Sequence, residues 1–321
     1  KPSDKPEYRP FLLDKSSSTQ PTELSLIYYI DGTCFNYDIK VSSECIEEEE
    51  LKLVQSRSSR IFYRYHNKEL DKVVINYGGA CDLSKSDQHD LEVNTLANAS
   101  VLSTFGALNL ESQILSKNFD YFENHISMIH RSDKSLADKL QTGDPEKDIA
   151  LKKLLLRLLN DVGTNICDYV IEEASLNISE LIANGAPDIV IKAMMEQYPS
   201  GVITHKNLRF IHSTKDGESG LDFDLESLGT KNIIRLLVVL YDVVVGEKST
   251  CIDEIEYGIH TKALAFILKM YLTIAENCQL IVATHDLSLL NADFLRRDAV
   301  RLFEKDEHGS TYVRRRDYLH K

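Results

Sequence analysis

The 321 residues predict an α/β fold: a mostly parallel sheet, an antiparallel β region ahead of it, and a helical insertion between the two. Three observations predict it. In the last third, short apolar strands alternate with helices long enough to act as crossovers, a pattern that implies parallel pairing. In the first third, two strand-like runs flank Asp31-Gly32, a strong hairpin signal. In the middle, apolar residues recur at three-to-four spacing, as on one face of a helix. The expected divisions are a β-rich part over 1–88, a helical arm over 89–205 and an α/β core half over 206–321.

Composition bounds the reading. Hydrophobic residues make up 43% and charged residues 27%, an ordinary globular balance. The length allows two lobes. The longest apolar run, 233–245, is interrupted by Arg235 and Asp242 and falls short of the roughly 20 residues a membrane span needs. Lys1 to Pro10 is polar and carries no secretory pattern. A net charge of −13 argues against a broadly basic nucleic-acid-binding surface. Arg296, Arg297 and 314–316 form the one local basic group, which reads as a solvated rim. The six cysteines are scattered with no C-x-x-C pair, so free thiols in a reducing cytoplasm are expected, with neither disulfides nor a cysteine metal site.

The elements follow in order. Residues 24–30 and 33–41 read as hairpin strands, and 61–66 as an aromatic-rich strand. The acidic run 47–50 reads as a solvated edge or loop. Residues 91–108 and 109–126 have helical periodicity. Asp144-Pro145-Glu146 opens a helix through 159, with Asp144 as cap and Pro145 in the first turn. Two short helices are expected over 172–198, split at 184–187. Then come a strand at 207–213, a turn at 215–217, a helix at 230–245 and a short buried strand at 250–252. A helix at 260–275, a strand at 279–283 and two strands around a turn at 307–309 complete the chain.

Three features of the last third carry chemistry. Thr250-Cys251-Ile252 is an apolar strand ending in Asp253-Glu254, which sets two carboxylates at the edge of a sheet where ligands of open α/β folds bind. There Asp253 would hold Mg²⁺, and Glu254 would polarise an attacking water, a contribution of roughly 10²–10⁴-fold. Alone, such a pair is more often a helix cap or a solvated turn. Upstream, Ser227-Leu228-Gly229-Thr230 opens a helix and offers backbone N–H groups to an anion, with the helix dipole adding roughly 0.3–1 kcal/mol. By itself that is an ordinary capped helix. Downstream, the strand 279–283 ends in Thr284-His285-Asp286, where a histidine can bond a γ-phosphate. The order of the three on a strand–helix–strand frame gives them weight together.

In that order the three segments resemble the signature, the Walker B motif with its D-loop (252–260) and the H-loop of ATP-binding-cassette-like ATPases related to SMC, RecF and OLD proteins. The nearest branch is the bacterial AAA-type ATP-binding group found in phage-defence or abortive-infection gene pairs, which 295–298, 303–306 and 309–311 also resemble. The resemblance is closest over 223–311. It implies an ABC-ATPase-like head that hydrolyses ATP with Mg²⁺ as a head-to-head homodimer. Ser227, Gly229 and Thr230 would bind nucleotide in trans, Asp253 the metal, Glu254 would activate water and His285 would sense the γ-phosphate. A protein effector, a nuclease or toxin, is the implied partner; DNA is possible, and no membrane is involved. Leu228 stands where a transporter signature has glycine.

None of the fourteen glycines precedes a lysine, so no G-x-x-x-x-G-K-[ST] phosphate loop occurs in these residues. The expectation is a chain lacking its N-terminal Walker A region, binding ATP poorly alone. Two other readings stand beside the ATP switch: a DNA repair or recombination ATPase of the RecF or SMC type, and a non-catalytic interaction module.

Overall fold

A computed structural model describes residues 5–6, 8–128, 136–183 and 187–315. The chain divides into two compact units, Lys1–Ile126 with Arg301–Lys321, and Ser127–Val300.

The first unit is built on a five-stranded antiparallel meander, β1 (Thr22–Ile30), β2 (Thr33–Val41), β3 (Ile46–Val54), β4 (Ser58–Asn67) and β5 (Lys72–Tyr77), paired in chain order. The expected hairpin is there. Asp31 and Gly32 both take positive φ, 49° and 74°, the backbone a two-residue turn of the I′ type requires. Helices α1 (Lys85–Asn94), α2 (Val101–Ala107) and α3 (Gln113–Asp120) follow. Each begins at a serine, Ser84, Ser100 and Ser112, whose hydroxyl accepts a first-turn N–H. The two long helices expected over 91–126 are therefore three short ones. Leu51, Ile61, Phe62, Leu91, Val101 and Leu115 form the core beneath the sheet.

The acidic run 47–50 is not a solvated edge: it lies in β3, the central strand. Alternation along the strand explains how. Glu49 points inward and is fully buried, accepting the Val101 N–H at 2.8 Å and the Tyr37 hydroxyl at 2.8 Å. Glu50 turns outward to Arg60 at 2.7 Å and Lys52 at 2.6 Å. Arg64, opposite Glu49 in the register, is also fully buried, its guanidinium bonded to the carbonyls of Ile46, Leu96 and Ala97. Burial pushes the Glu49 carboxyl up to about 7, against the pull of the Val101 N–H, Tyr37 and Arg64.

The second unit begins in β6 (Ile126–Met128) and continues through α4 (Leu136–Leu140) and α5 (Pro145–Asp161). Asp144 caps α5 as expected, accepting from the Glu146 N–H at 3.2 Å. Next, β7 (Ile166–Asn177) and β8 (Val202–Thr214) form a long antiparallel ribbon with β9 (Gly217–Asp222). Short helices α6 (Ile178–Ala183) and α7 (Asp188–Gln197) lie between its strands. Residues 172–177, expected as helix, are thus strand: pairing with β8 over the whole ribbon overrides a locally helix-favouring Glu-Glu-Ala stretch. The expected break at 184–187 falls largely outside the described residues. Helix α8 (Leu228–Val245) leads into β10 (Ser249–Ile252), and α9 (Thr261–Ile274) into β11 (Gln279–Val282). Leu155, Leu159, Phe210, Ile234, Leu264 and Ile267 close the core.

Strands β10 and β11 run parallel in a three-stranded sheet ordered β11-β10-β6. The expectation of a mostly parallel sheet does not hold. The meander, the ribbon and the pair β12 (Arg301–Lys305) and β13 (Thr311–Arg315) of the first unit are all antiparallel. The β-α-β pattern at 249–282 implies parallel pairing only for β10 and β11, whereas these other strands pair antiparallel. Of the basic rim, Arg296 pairs with Asp298 at 2.6 Å and Arg314 with Glu304 at 3.6 Å, while Arg316 lies outside the described residues. All six cysteines are free thiols. Among the described residues no helix is long and apolar enough to cross a membrane.

Candidate functional site at the ends of the parallel strands

Ile252 is level with Val282 in the parallel pair, so the segments that follow leave the sheet side by side. The lacing continues past the strands: the Ala283 N–H donates to the Ile252 carbonyl at 2.9 Å, and the Ile255 N–H to the Ala283 carbonyl at 3.2 Å. Asp253 and Glu254 emerge here, both exposed, and His285 emerges beside them, also exposed. Asp253 Oδ1 accepts the Glu254 N–H at 3.0 Å. Glu254 holds φ at 47°, a left-handed backbone that costs a residue with a Cβ about 1–2 kcal/mol. Asp31, Asp71 and Glu247 share that backbone in other turns, so what sets Glu254 apart is its place directly after β10.

Residues 254–259 fold into consecutive tight turns, with the Tyr257 N–H donating to the Glu254 carbonyl at 3.0 Å and the Ile259 N–H to the Glu256 carbonyl at 2.8 Å. Ile255 and Ile259 anchor the turns in the core. Glu256 reaches across to the neighbouring segment, accepting the His285 N–H at 2.6 Å. Burial raises its carboxyl, but the nearby Thr284 hydroxyl and the His285 N–H outweigh it and hold the group below its ordinary value. Oε2 of Glu256 is buried without a hydrogen-bond partner.

The start of α8 meets the same turns. Ser227 caps the helix, its hydroxyl oxygen accepting the Thr230 N–H at 3.1 Å and lying 2.8 Å from the Thr230 hydroxyl. The Thr230 side chain is thereby engaged inside the cap. Asn232 donates to the Tyr257 carbonyl at 2.8 Å. Gly229 approaches so closely that a Cβ there would stand 2.9 Å from the Gly258 carbonyl oxygen. Just before the cap, Glu226 is buried and lies 2.6 Å from Nε2 of His212 on β8.

Asp253, Glu254 and His285 thus come together at matched strand ends, and Ser227, Gly229 and Thr230 join them through the 255–258 turns. Asn232 and Glu256 tie these parts together. Asn232 carries no sequence signal; Glu256 is a third acid two residues past Glu254, and its reach to His285 is a tertiary fact. The donor set suits a magnesium nucleotide: Mg²⁺ is held by one or two carboxylates together with phosphate oxygens, and Asp253 offers an exposed carboxylate. The helix start adds first-turn N–H groups that have no intrahelical partner.

Parallel strands ending in acids beside a helix start are compatible with a nucleotide-binding α/β domain. The chain belongs to the family described as "AAA domain, putative AbiEii toxin, Type IV TA system", whose profile it matches over residues 6–291. It is therefore an AAA-type ATPase domain. No curated protein matches the chain. Among solved structures it is similar to one reported for ATP-driven dimerization and DNA-stimulated activation of SMC ATPases, at 14% identity and a TM-score of 0.31, covering 53% of this chain and 85% of that one. An SMC head bound to the C-terminal winged-helix domain of ScpA shares 9% identity at a TM-score of 0.36, covering 85% and 76%. The recombination mediator RecF of the RecFOR pathway shares 11% at 0.27, covering 90% and 82%.

Proposed function

We propose that the protein is an ABC-type ATP switch that hydrolyses ATP with Mg²⁺ as a homodimer and thereby controls a protein effector, a nuclease or toxin, in anti-phage defence. Family membership supports the ATPase part. One observation carries the site: Asp253, Glu254 and His285 share the matched ends of β10 and β11, laced by the Glu256–His285 hydrogen bond. In this reading Asp253 holds the metal, Glu254 takes the proton of the attacking water, and His285 contacts the terminal phosphate. The bound magnesium nucleotide supplies the bond to be broken and the charge that the site recognises. Ser227, Gly229 and Thr230 present the start of α8 to the nucleotide of the partner subunit, with Thr230 acting by shaping the cap.

No glycine-lysine pair of a phosphate loop occurs in the sequence. Closure of the dimer on ATP is a population shift that lasts only while nucleotide favours the closed form. A net charge of −13 favours a protein partner over DNA. Glu254→Gln tests the assignment. ATP turnover is expected to fall roughly 10²–10⁴-fold, with a nucleotide-bound dimer accumulating on size exclusion. Turnover at the parental rate would remove Glu254 from the chemistry.

A further inference from the structure

We propose that Glu256 is a positioning residue whose carboxylate clamps the 284–285 segment to the turn after β10 and so fixes where the His285 ring stands. The inference rests on the ATP-switch reading and deepens it.

The main chain on both sides of His285 is tied, while its ring is left exposed. Before it, Glu256 accepts the His285 N–H at 2.6 Å. After it, the Asp286 N–H donates to Thr284 Oγ1 at 3.0 Å, and Asp286 Oδ2 accepts the hydroxyl of Thr261, the first residue of α9, at 2.6 Å. A backbone fixed at both ends with a free imidazole between is what a group needs to meet a ligand at a set place. Glu256 is also poorly explained as a stabilising residue. Its Oε2 is buried and unpartnered, an arrangement that folding alone disfavours and that calls for a local reason. The opposite end of the same turns holds the start of α8 through Asn232 and Gly258, so the clamp joins the histidine end of the site to the serine end.

The test compares Glu256→Ala, Glu256→Gln and Glu254→Gln in the full protein. Glu256→Ala is expected to lower kcat roughly tenfold to a hundredfold while KM stays within about twofold, the signature of misplacement rather than lost binding. Glu256→Gln keeps an acceptor oxygen for the His285 N–H and should recover most of that loss. A second readout needs no nucleotide. With ¹⁵N-labelled histidine, and His285→Gln to identify the resonance, the short bond to a carboxylate places the His285 amide proton downfield. Glu256→Ala should move it upfield, and Glu254→Gln should leave it in place. The proposal is overturned if Glu256→Ala keeps parental kcat, if glutamine fares no better than alanine, or if the amide does not move. Absent turnover in the parent, unaffected by Glu254→Gln, would instead sink the ATPase reading, and the amide shift would still decide the clamp.

Discussion

Glu49 and Glu254 are both glutamates delivered by strands, and the two units treat them in opposite ways. The first unit takes Glu49 out of water, surrounds it with a backbone N–H, a tyrosine hydroxyl and a buried arginine, and places it in a relaxed central strand. The second leaves Glu254 in solvent, one residue past Asp253, on a left-handed backbone. A satisfied buried acid is a part of the fold, whereas an exposed acid directly after a parallel strand is a candidate for chemistry. The contrast separates two carboxylates that composition and burial preference alone would rank the other way round.

The contrast breaks most visibly if each residue is removed. Glu49→Ala leaves the buried Val101 N–H and the Tyr37 hydroxyl without their acceptor, and each stranded buried donor costs about 1–3 kcal/mol. Denaturant unfolding should show the loss in the first unit, whereas Glu254→Gln should leave the unfolding midpoint where it was and remove turnover. If Glu49→Ala unfolds like the parent, its network is not structural.

A smaller effect sharpens the same point through pH. The Glu49 carboxyl titrates at about 7 in the folded chain against 4.5 for the free group. Between those values only the folded state keeps the proton, so the stabilisation is complete below 4.5 and is lost as pH rises through 7. The loss amounts to about 3 kcal/mol. Glu49→Gln should flatten this slope in unfolding curves taken from pH 4.5 to 8; a slope that survives the substitution would assign it elsewhere.

The smallest effect lies at the other end of the comparison. Gly258 has φ at 66°, and a Cβ there would stand 3.0 Å from Asn232 Nδ2 and 3.2 Å from Leu228 Cγ. Gly258→Ala is expected to cost about 1–2 kcal/mol, seen as a lower melting temperature, and to slow turnover by loosening the start of α8. An unchanged melt and rate would mean that the turn and the helix start are not coupled.

Much of the site was legible in the sequence because its parts are local. An apolar strand ending in two acids, a serine before a helix and a histidine after a strand can each be read from a few neighbours; in the structure 253, 254 and 285 follow the paired strands β10 and β11, and the start of α8 meets the turn at 257–258. The Asp31-Gly32 hairpin was legible for the same reason, since the turn dictates the pairing. What escaped depends on distant partners. Glu47 to Glu50 carry no local sign that β3 would be central, because only the Val101 N–H and the Tyr37 hydroxyl make Glu49 tolerable inside. Residues 172–177 favour helix until β8 pairs with them. Strand direction escaped too: the β-α-β stretch at 249–282 fixes one parallel pair and says nothing of the rest. Neither Asn232 nor the reach of Glu256 could be inferred without coordinates.

The left-handed turn at position 254 sets heat resistance against usefulness. Glycine, or asparagine to a lesser degree, would sit there more comfortably than glutamate by something like 1 kcal/mol. A library sorted only for survival on heating should therefore collect those residues at 254, yielding proteins that outlast their parent and have nothing left to do.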